Sequence, residues 1–201
     1  MLWCGIMRSK GIAKVVSYVF SAPLYASYLI IYLILKTKYL MHALSIAFAF
    51  LYLSILPVIT IVIDSVRGRT DIFVSKVTHR YRYFIHAILA YFAGFLTFML
   101  LGNYFMALFS LTYALNTAVA MALSLRDKVS VHMAAIAGPN TFLTMTLGIE
   151  HLALFTILPI VAWARLKLGA HTAKQLVVGA LASIITTYVV VTLFTPMVSY
   201  T

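Results

Sequence analysis

The side chains best suited to chemistry are histidines, cations and one serine that recur in three polar segments of an otherwise apolar chain. In chain order they are Lys76, His79, Arg80 and Arg82, then Lys128, Ser130 and His132, then Arg165, Lys167 and His171. Guanidinium and ammonium groups can neutralise phosphoryl oxygens, while one imidazole attacks phosphorus and another protonates the leaving oxygen. This set of residue types indicates phosphoryl chemistry with a histidine nucleophile.

Acidic residues are too few and too scattered for metal-dependent chemistry. The chain has four, Asp64, Asp71, Asp127 and Glu150, and no two of them lie within four residues of each other. Prenyltransferases and CDP-alcohol phosphotransferases, which also act on lipid phosphates, hold Mg²⁺ with paired or tripled aspartates. We therefore exclude those classes, and we expect neither a metal site nor another cofactor. The single cysteine, Cys4, forms no internal disulfide or thiolate metal site.

The elements that position these residues must lie in a membrane. Of the 201 residues, 64% are hydrophobic and 9% are charged, with a mean hydropathy of +1.03, whereas soluble domains are about 25% charged. The formal net charge of +11 comes from cations dispersed between apolar runs, so we expect no nucleic acid partner. Anionic lipid or phosphate fits this distribution better.

Apolar runs between the charges predict an all-α polytopic membrane bundle with six to seven transmembrane helices in one domain, residues 1–201. A bilayer core of roughly 30 Å needs about 20 helical residues. The uncharged run 83–125 is about twice too long for one crossing, so it must cross twice, with a turn at Gly102-Asn103. The other predicted spans cover residues 15–35, 39–63, 129–149, 152–164 and 175–195.

Alternation of these spans places most cations on one face. Of the 15 Lys and Arg residues, Lys36 and Lys38 lie on the opposite face, which leaves 13 on the face that also holds the N-terminus. The positive-inside rule assigns this basic face to the cytoplasm. We therefore expect an integral protein of the cell membrane with a cytoplasmic N-terminus.

Three motifs resemble those of the type 2 phosphatidic acid phosphatase (PAP2) superfamily. The segment Ala164-Arg165-x5-His171 is similar to its Ser-Arg-x5-His signature, and Ser130-Val131-His132 resembles its Pro-Ser-Gly-His. Lys76-x5-Arg82-Tyr83 is similar to Lys-x6-Arg-Pro, one residue short. The motif order agrees with that of the family. The resemblance implies a PAP2-like core over residues 64–195, preceded by two spans in residues 1–63 that carry no motif.

The resemblance also implies a role for each matching residue. His171 would be the nucleophile that forms a phosphohistidine, and His132 would be the general acid. Cations on all three segments would hold the phosphoryl oxygens. A serine and the nearby backbone N–H groups at the start of a helix would complete this anion-binding site. These phosphate-binding residues are Arg165, Lys76, Arg82, Lys128 and Ser130.

Two positions depart from the family pattern. Gln175 stands where the family has the aspartate that orients the nucleophilic histidine, and Val131 stands where it has glycine. The glutamine carbonyl can still accept the ring N–H, and Asp127 or Asp71 could supply a carboxylate. Thr172 and Gln175 also have the spacing of a helix capping box, which gives the glutamine a structural role.

The sequence therefore predicts a metal-independent phosphatase that acts on a lipid phosphate or polyprenyl pyrophosphate among membrane lipids. The alternatives are a catalytically degenerate PAP2-like protein, or a small carrier or scaffold that binds anionic lipid with the same basic face. A transporter is disfavoured because no charge lies at the middle of a span and no inverted repeat is visible. Whether the chain forms a homodimer is left open.

Overall fold

The structure, a computed structural model, describes residues 2–72, 74 and 77–194, and within them all regular structure is helical. The helices are α1 (Leu2–Val19), α2 (Ala22–Lys36), α3 (Ala43–Phe50), α4 (Leu56–Val66), α5 (Val77–Leu100), α6 (Tyr104–Leu123), α7 (Val131–Leu147), α8 (Ile157–Lys167) and α9 (Ala173–Phe194). A π-helical turn, Leu51–Ile55, joins α3 to α4, and a 3-10 helix, Ile149–Thr156, precedes α8. The predicted all-α class is confirmed.

Five segments of the described chain are long and apolar enough to cross a membrane. They are Ala43–Val66, Arg80–Leu100, Tyr104–Leu123, Ile149–Lys167 and Ala173–Phe194. A sixth crossing results if Ser9–Val19 and Ala22–Lys36, which are bent by 54° to each other, pass through together. The number of spans is thus five or six, where six to seven were predicted.

The first predicted span, residues 15–35, is not one helix. α1 ends at Val19, and α2 starts after Ser21, whose backbone is extended. Pro23 lies in the first turn of α2, where its missing N–H and fixed φ are tolerated, whereas inside a helix they would break it. The chain therefore bends at residues 20–21, and α1 and α2 form an elbow.

The predicted span 129–149 is shorter than expected. α7 has 17 residues, or about 25 Å at 1.5 Å per residue, because it begins after Ser130 and ends at Gly148, where φ is +134°. The turn predicted at Gly102-Asn103 is confirmed. Gly102 has φ of +68°, and the Asn103 side chain accepts a hydrogen bond from Met106 N at 3.1 Å, which caps α6.

The helices that carry the motifs approach each other closely where α9 meets the start of α7. α6 lies against α5, α7 and α9, and α7 lies along α9. At the crossing of the latter two, a Cβ on Gly179 would lie 2.6 Å from the backbone carbonyl oxygen of Ser130. Ser130 N in turn donates to Gln175 O at 3.3 Å. This contact fixes the first turn of α7 relative to the first turns of α9.

We expect Gly179→Ala to lower the free energy of unfolding by about 1–3 kcal/mol, because the new methyl group meets rigid backbone and forces the helices apart. The matched control is Gly11→Ala in α1, where a Cβ meets no atom within 4 Å. That change should be neutral or stabilising by up to about 1 kcal/mol. Thermal unfolding in detergent measures both, and equal effects would contradict the importance of the close approach.

Candidate active site

A cavity of about 220 Å³ lies between the elbow of α1 and α2, helices α4, α5 and α7, and the ends of α8. Four ionisable nitrogen-bearing side chains line it: Arg80, His132, Arg165 and His171. They come from four separate segments of the chain, and all but His132 are less than 9% exposed. The structure thus brings together three of the predicted site residues and one arginine that the motif comparison did not select.

His171 lies in the turn between α8 and α9, and its ring is oriented by Gln175. The ring Nδ1 lies 3.2 Å from Gln175 Oε1, and Gln175 Nε2 donates to Asp127 Oδ1 at 2.9 Å. Because the carboxylate can only accept, it fixes the amide with its oxygen facing the ring. The Nδ1 atom must then carry the proton, which leaves the lone pair on Nε2 for nucleophilic attack.

The predicted capping box is confirmed and shares the same glutamine. Thr172 N donates to Gln175 Oε1 at 3.2 Å, and Gln175 N donates to Thr172 Oγ1 at 3.3 Å. The amide oxygen of Gln175 therefore accepts from both the helix end and the His171 ring. The start of α9 and the orientation of the His171 ring depend on one side chain.

The electrostatics of the cavity keep His171 neutral near pH 7. Burial is the main cause that lowers the pKa of His171 from 6.5 to about 4, and the positive charges of Arg165 and Lys128 add to it. Asp127 behaves in the opposite way, since its hydrogen bond from Gln175 lowers its pKa and keeps it ionised. The imidazole is therefore unprotonated, and the ionised Asp127 orients it through the amide of Gln175.

Arg165 and Lys128 both lie close to His171. Arg165 occupies the last turn of α8, is 4% exposed and lines the cavity. Lys128 lies outside the lining and donates from Nζ to the backbone carbonyl of Ala170 at 3.0 Å, which anchors the turn that carries the histidine. Burial, and then the charges of Arg80 and Arg165, lower the pKa of Lys128, which shows that these cations lie within electrostatic reach of one another.

Ser130 has a structural role beside the cavity. Its fully buried hydroxyl accepts a hydrogen bond from Met133 N at 3.5 Å as the N-cap of α7, and it is absent from the lining. Val131 lines the cavity in its place. His132, one residue further along, lines the cavity, and its Nε2 lies 3.1 Å from the carbonyl oxygen of Ser17 in α1.

The predicted phosphate ligand Arg82 does not line the cavity. Its guanidinium group bonds to Asp64 Oδ2 and, at 2.6 Å, to the Tyr83 hydroxyl. Arg80 lies two residues earlier, roughly 200° around the helix, so the two cannot face the same side. Arg80 is buried, donates from Nε to Val74 O at 2.8 Å, and lines the cavity. The predicted ligand Lys76 lies outside the described residues.

Helical phase is the signal that would have selected Arg80 from the sequence. The residues of α5 that line the cavity are Arg80, Tyr83, Phe84, Ala87 and Tyr91. The last four follow Arg80 by three, four, seven and eleven residues, and residues at these intervals lie on one face of an α-helix. Motif spacing was counted along the chain, whereas the site depends on rotation around the helix axis.

No family model, curated protein or solved structure matches the chain. Among the described residues, no three His, Cys, Asp or Glu side chains come together as metal ligands would. Membership of the PAP2 superfamily therefore stays a prediction from the motifs, and the cavity has to be interpreted from its own chemistry.

The low pKa of His171 predicts a loss of stability in acid. Because the folded-state pKa of about 4 lies below the ordinary 6.5, the unfolded chain binds the extra proton between these values, and stability falls as the pH drops through that window. The slope approaches about 1.4 kcal/mol per pH unit. Unfolding midpoints of the wild type and His171→Gln between pH 7 and pH 4.5 measure it. Parallel pH profiles for the two proteins would show that His171 does not titrate this way.

Proposed function

We propose that the chain is a metal-independent membrane phosphatase that hydrolyses a lipid phosphate or polyprenyl pyrophosphate through a phosphohistidine. The observation that carries this proposal is the meeting of His171, His132, Arg165 and Arg80 at one cavity. A neutral imidazole beside two buried guanidinium groups combines a nucleophile with a cationic clamp for phosphoryl oxygens. The order and face of the motifs, which resemble those of the PAP2 superfamily, point to the same chemistry.

The roles follow from the positions of the side chains. Arg165 and Arg80 neutralise the phosphoryl oxygens, and His171 Nε2 attacks phosphorus as the bond to the leaving oxygen breaks. His132 gives the leaving oxygen its proton. Water then attacks the phosphorus of the phosphohistidine, His132 takes a proton from that water, and inorganic phosphate is released with His171 restored.

The pairing of Gln175 with Asp127 supports activity despite the departure from the family pattern. The amide oxygen accepts the Nδ1 proton of His171, as the carboxylate of the family would, and Asp127 fixes the orientation of that amide. A neutral amide stabilises a cationic phosphohistidine less than a carboxylate does. We therefore expect correct orientation of the nucleophile with a lower turnover than an aspartate would give.

The apolar walls of the cavity suit a ligand whose phosphate is attached to a lipid. Pro57, Val58, Ile61 and Val62 of α4 line the same cavity as the cations. α4 belongs to the span Ala43–Val66, so a substrate could present its head group while its chain stays in the bilayer. Under the positive-inside rule the proposed site lies on the cytoplasmic side.

The direct test is phosphate release by the purified protein in detergent with EDTA, given phosphatidic acid or farnesyl pyrophosphate. We expect release that vanadate inhibits, and a loss of roughly 1,000-fold or more in His171→Ala, which has no nucleophile. His42→Ala is the matched control, because His42 lies at the N-terminal cap of α3, away from the cavity. Absence of release by the wild type, or an unchanged rate in His171→Ala, would end the phosphatase proposal.

A comparison of two arginines tests the clamp. Arg80→Ala should lower turnover by roughly 100-fold or more, because a buried charge that faces the phosphoryl oxygens is removed. Arg82→Ala should lower the unfolding temperature, since it releases Asp64 and Tyr83, while turnover of the folded protein changes far less. Steady-state rates and unfolding temperatures on the same preparations separate the effects. If Arg82→Ala loses more turnover than Arg80→Ala, then Arg82 is the phosphate ligand, as the motif predicted.

The second candidate is a non-hydrolysing protein that binds anionic lipid with the same cavity. The replacement of the family aspartate by Gln175 is the observation in its favour. This candidate predicts saturable binding of phosphatidic acid that Arg165→Ala weakens, with no phosphate release. The same preparations distinguish it from the phosphatase.

A further inference from the structure

The C-terminal end of α1 lies against the acid histidine of the proposed site. α1 carries none of the three motifs, yet Ser17 offers its carbonyl oxygen to His132 Nε2 at 3.1 Å. Tyr18 and Ser21, which follow it, line the cavity. A segment without any catalytic signature in its sequence thus contacts a residue placed in the reaction.

The Ser17 carbonyl accepts from a side chain because α1 ends in a tighter turn. In a continuing α-helix the amide of Ser21 would bond to Ser17, four residues earlier. Here Ser21 N donates to the carbonyl of Tyr18 at 3.1 Å, three residues earlier. The end of the helix therefore leaves a carbonyl that must find another donor, and His132 supplies it.

We propose that α1 positions His132 for acid catalysis by keeping the proton on its Nε2. A carbonyl oxygen only accepts, so the neutral ring bound to Ser17 must be protonated at Nε2 and unprotonated at Nδ1. Nδ1 is then the atom that exchanges protons with the reacting groups. This inference rests on the proposed phosphatase function and assigns a positioning role to α1.

The proton balance of the reaction is complete with this assignment. The proton enters with the substrate: Nδ1 of the neutral His132 ring takes it from the monoanionic phosphate ester and passes it to the leaving alcohol oxygen as the phosphorus–oxygen bond breaks. The neutral ring, still held at Nε2, then takes a proton from water as water attacks the phosphohistidine, and it passes that proton to the phosphate. Inorganic phosphate leaves, and both histidines return to their neutral starting states.

The packing of α1 on α8 holds this contact in place. Ala13 and Ser17 lie one turn apart on α1, and both are fully buried. α8, against which α1 packs, carries Arg165 in its last turn. A larger side chain at position 13 must move α1, because a close-packed interface has no room for it. Ile12, the adjacent residue, is 52% exposed and provides a matched control.

Two substrates with different leaving groups distinguish a loss of acid catalysis from a general disturbance of the fold. With a short-chain phosphatidic acid, whose alkoxide needs a proton, Ala13→Trp should lower kcat/KM by about 10-fold or more, toward the loss in His132→Ala. With p-nitrophenyl phosphate, whose phenolate leaves without a proton, kcat/KM should change less than about threefold, because it reports the steps through departure of the leaving group and not the later attack of water. Ile12→Trp should leave both rates unchanged, and Ala13→Trp should add little in the His132→Ala background.

Two outcomes of this experiment overturn the proposal. Equal losses with the two esters would show that α1 only supports the fold. An unchanged rate with phosphatidic acid would show that His132 needs no support from α1. Ala13→Leu, a smaller intrusion, is measured in the same way in case the tryptophan variant does not fold.

A spectroscopic readout keeps the test independent of turnover. Nitrogen-15 NMR of histidine-labelled protein, with His132→Gln to identify the signal, should show His132 as the Nε2-protonated tautomer at pH 8. Ala13→Leu should shift that signal toward a mixture of tautomers. A proton on Nδ1 in the wild type overturns the inference. If the wild type releases no phosphate yet shows the Nε2 tautomer, the phosphatase proposal fails and the positioning contact stands.

Discussion

The burial of positive charge at one cavity is the constraint on which the site depends. Arg80 and Arg165 are both less than 9% exposed, and no carboxylate is among the described residues that line the cavity with them. Like charges in a medium of low dielectric repel more strongly than in water, so such a cavity favours an anion. Burial and these charges together lower the pKa of His171 and favour its neutral form, which is the form that the proposed reaction requires.

Gln175 connects this electrostatic arrangement to the helix framework. Its amide oxygen accepts from the His171 ring and from Thr172 N, while its amide nitrogen donates to Asp127. A capping interaction is worth only about 1 kcal/mol. Here the same side chain also determines which ring nitrogen of His171 carries the proton. Local helix chemistry and proposed catalysis therefore depend on the same hydrogen bonds.

The features that the sequence predicted are those set by local spacing. The turn at Gly102-Asn103 and the capping box at Thr172 depend on residues within four positions of each other, and both are confirmed. The all-α class followed from the apolar runs, because backbone groups in a bilayer must be satisfied within each segment. His132, Arg165 and His171 meet at one cavity as their shared face suggested.

The features that the sequence did not predict depend on helix rotation or on contacts between distant residues. Arg80 rather than Arg82 reaches the cavity because of the phase of α5, which motif spacing does not report. The sequence offered Asp127 and Asp71 as alternative carboxylates, but it did not predict that Asp127 bonds to Gln175, 48 residues away, and not to the His171 ring. The elbow at residues 20–21 interrupts a run that hydropathy treats as continuous. Each of these three features depends on the three-dimensional arrangement of the helices, which composition and residue spacing do not determine.

The close approach at Gly179 has a mechanical consequence for the two histidines. Ser130 N bonds to Gln175 O across this approach, so the turn that precedes His132 and the turn that follows His171 are joined through the backbone. The backbone therefore restricts the spacing between His132 and His171. Any widening that admits a bulky ligand therefore has to come from α4, because the end of α1 is itself bound to His132 through the Ser17 carbonyl.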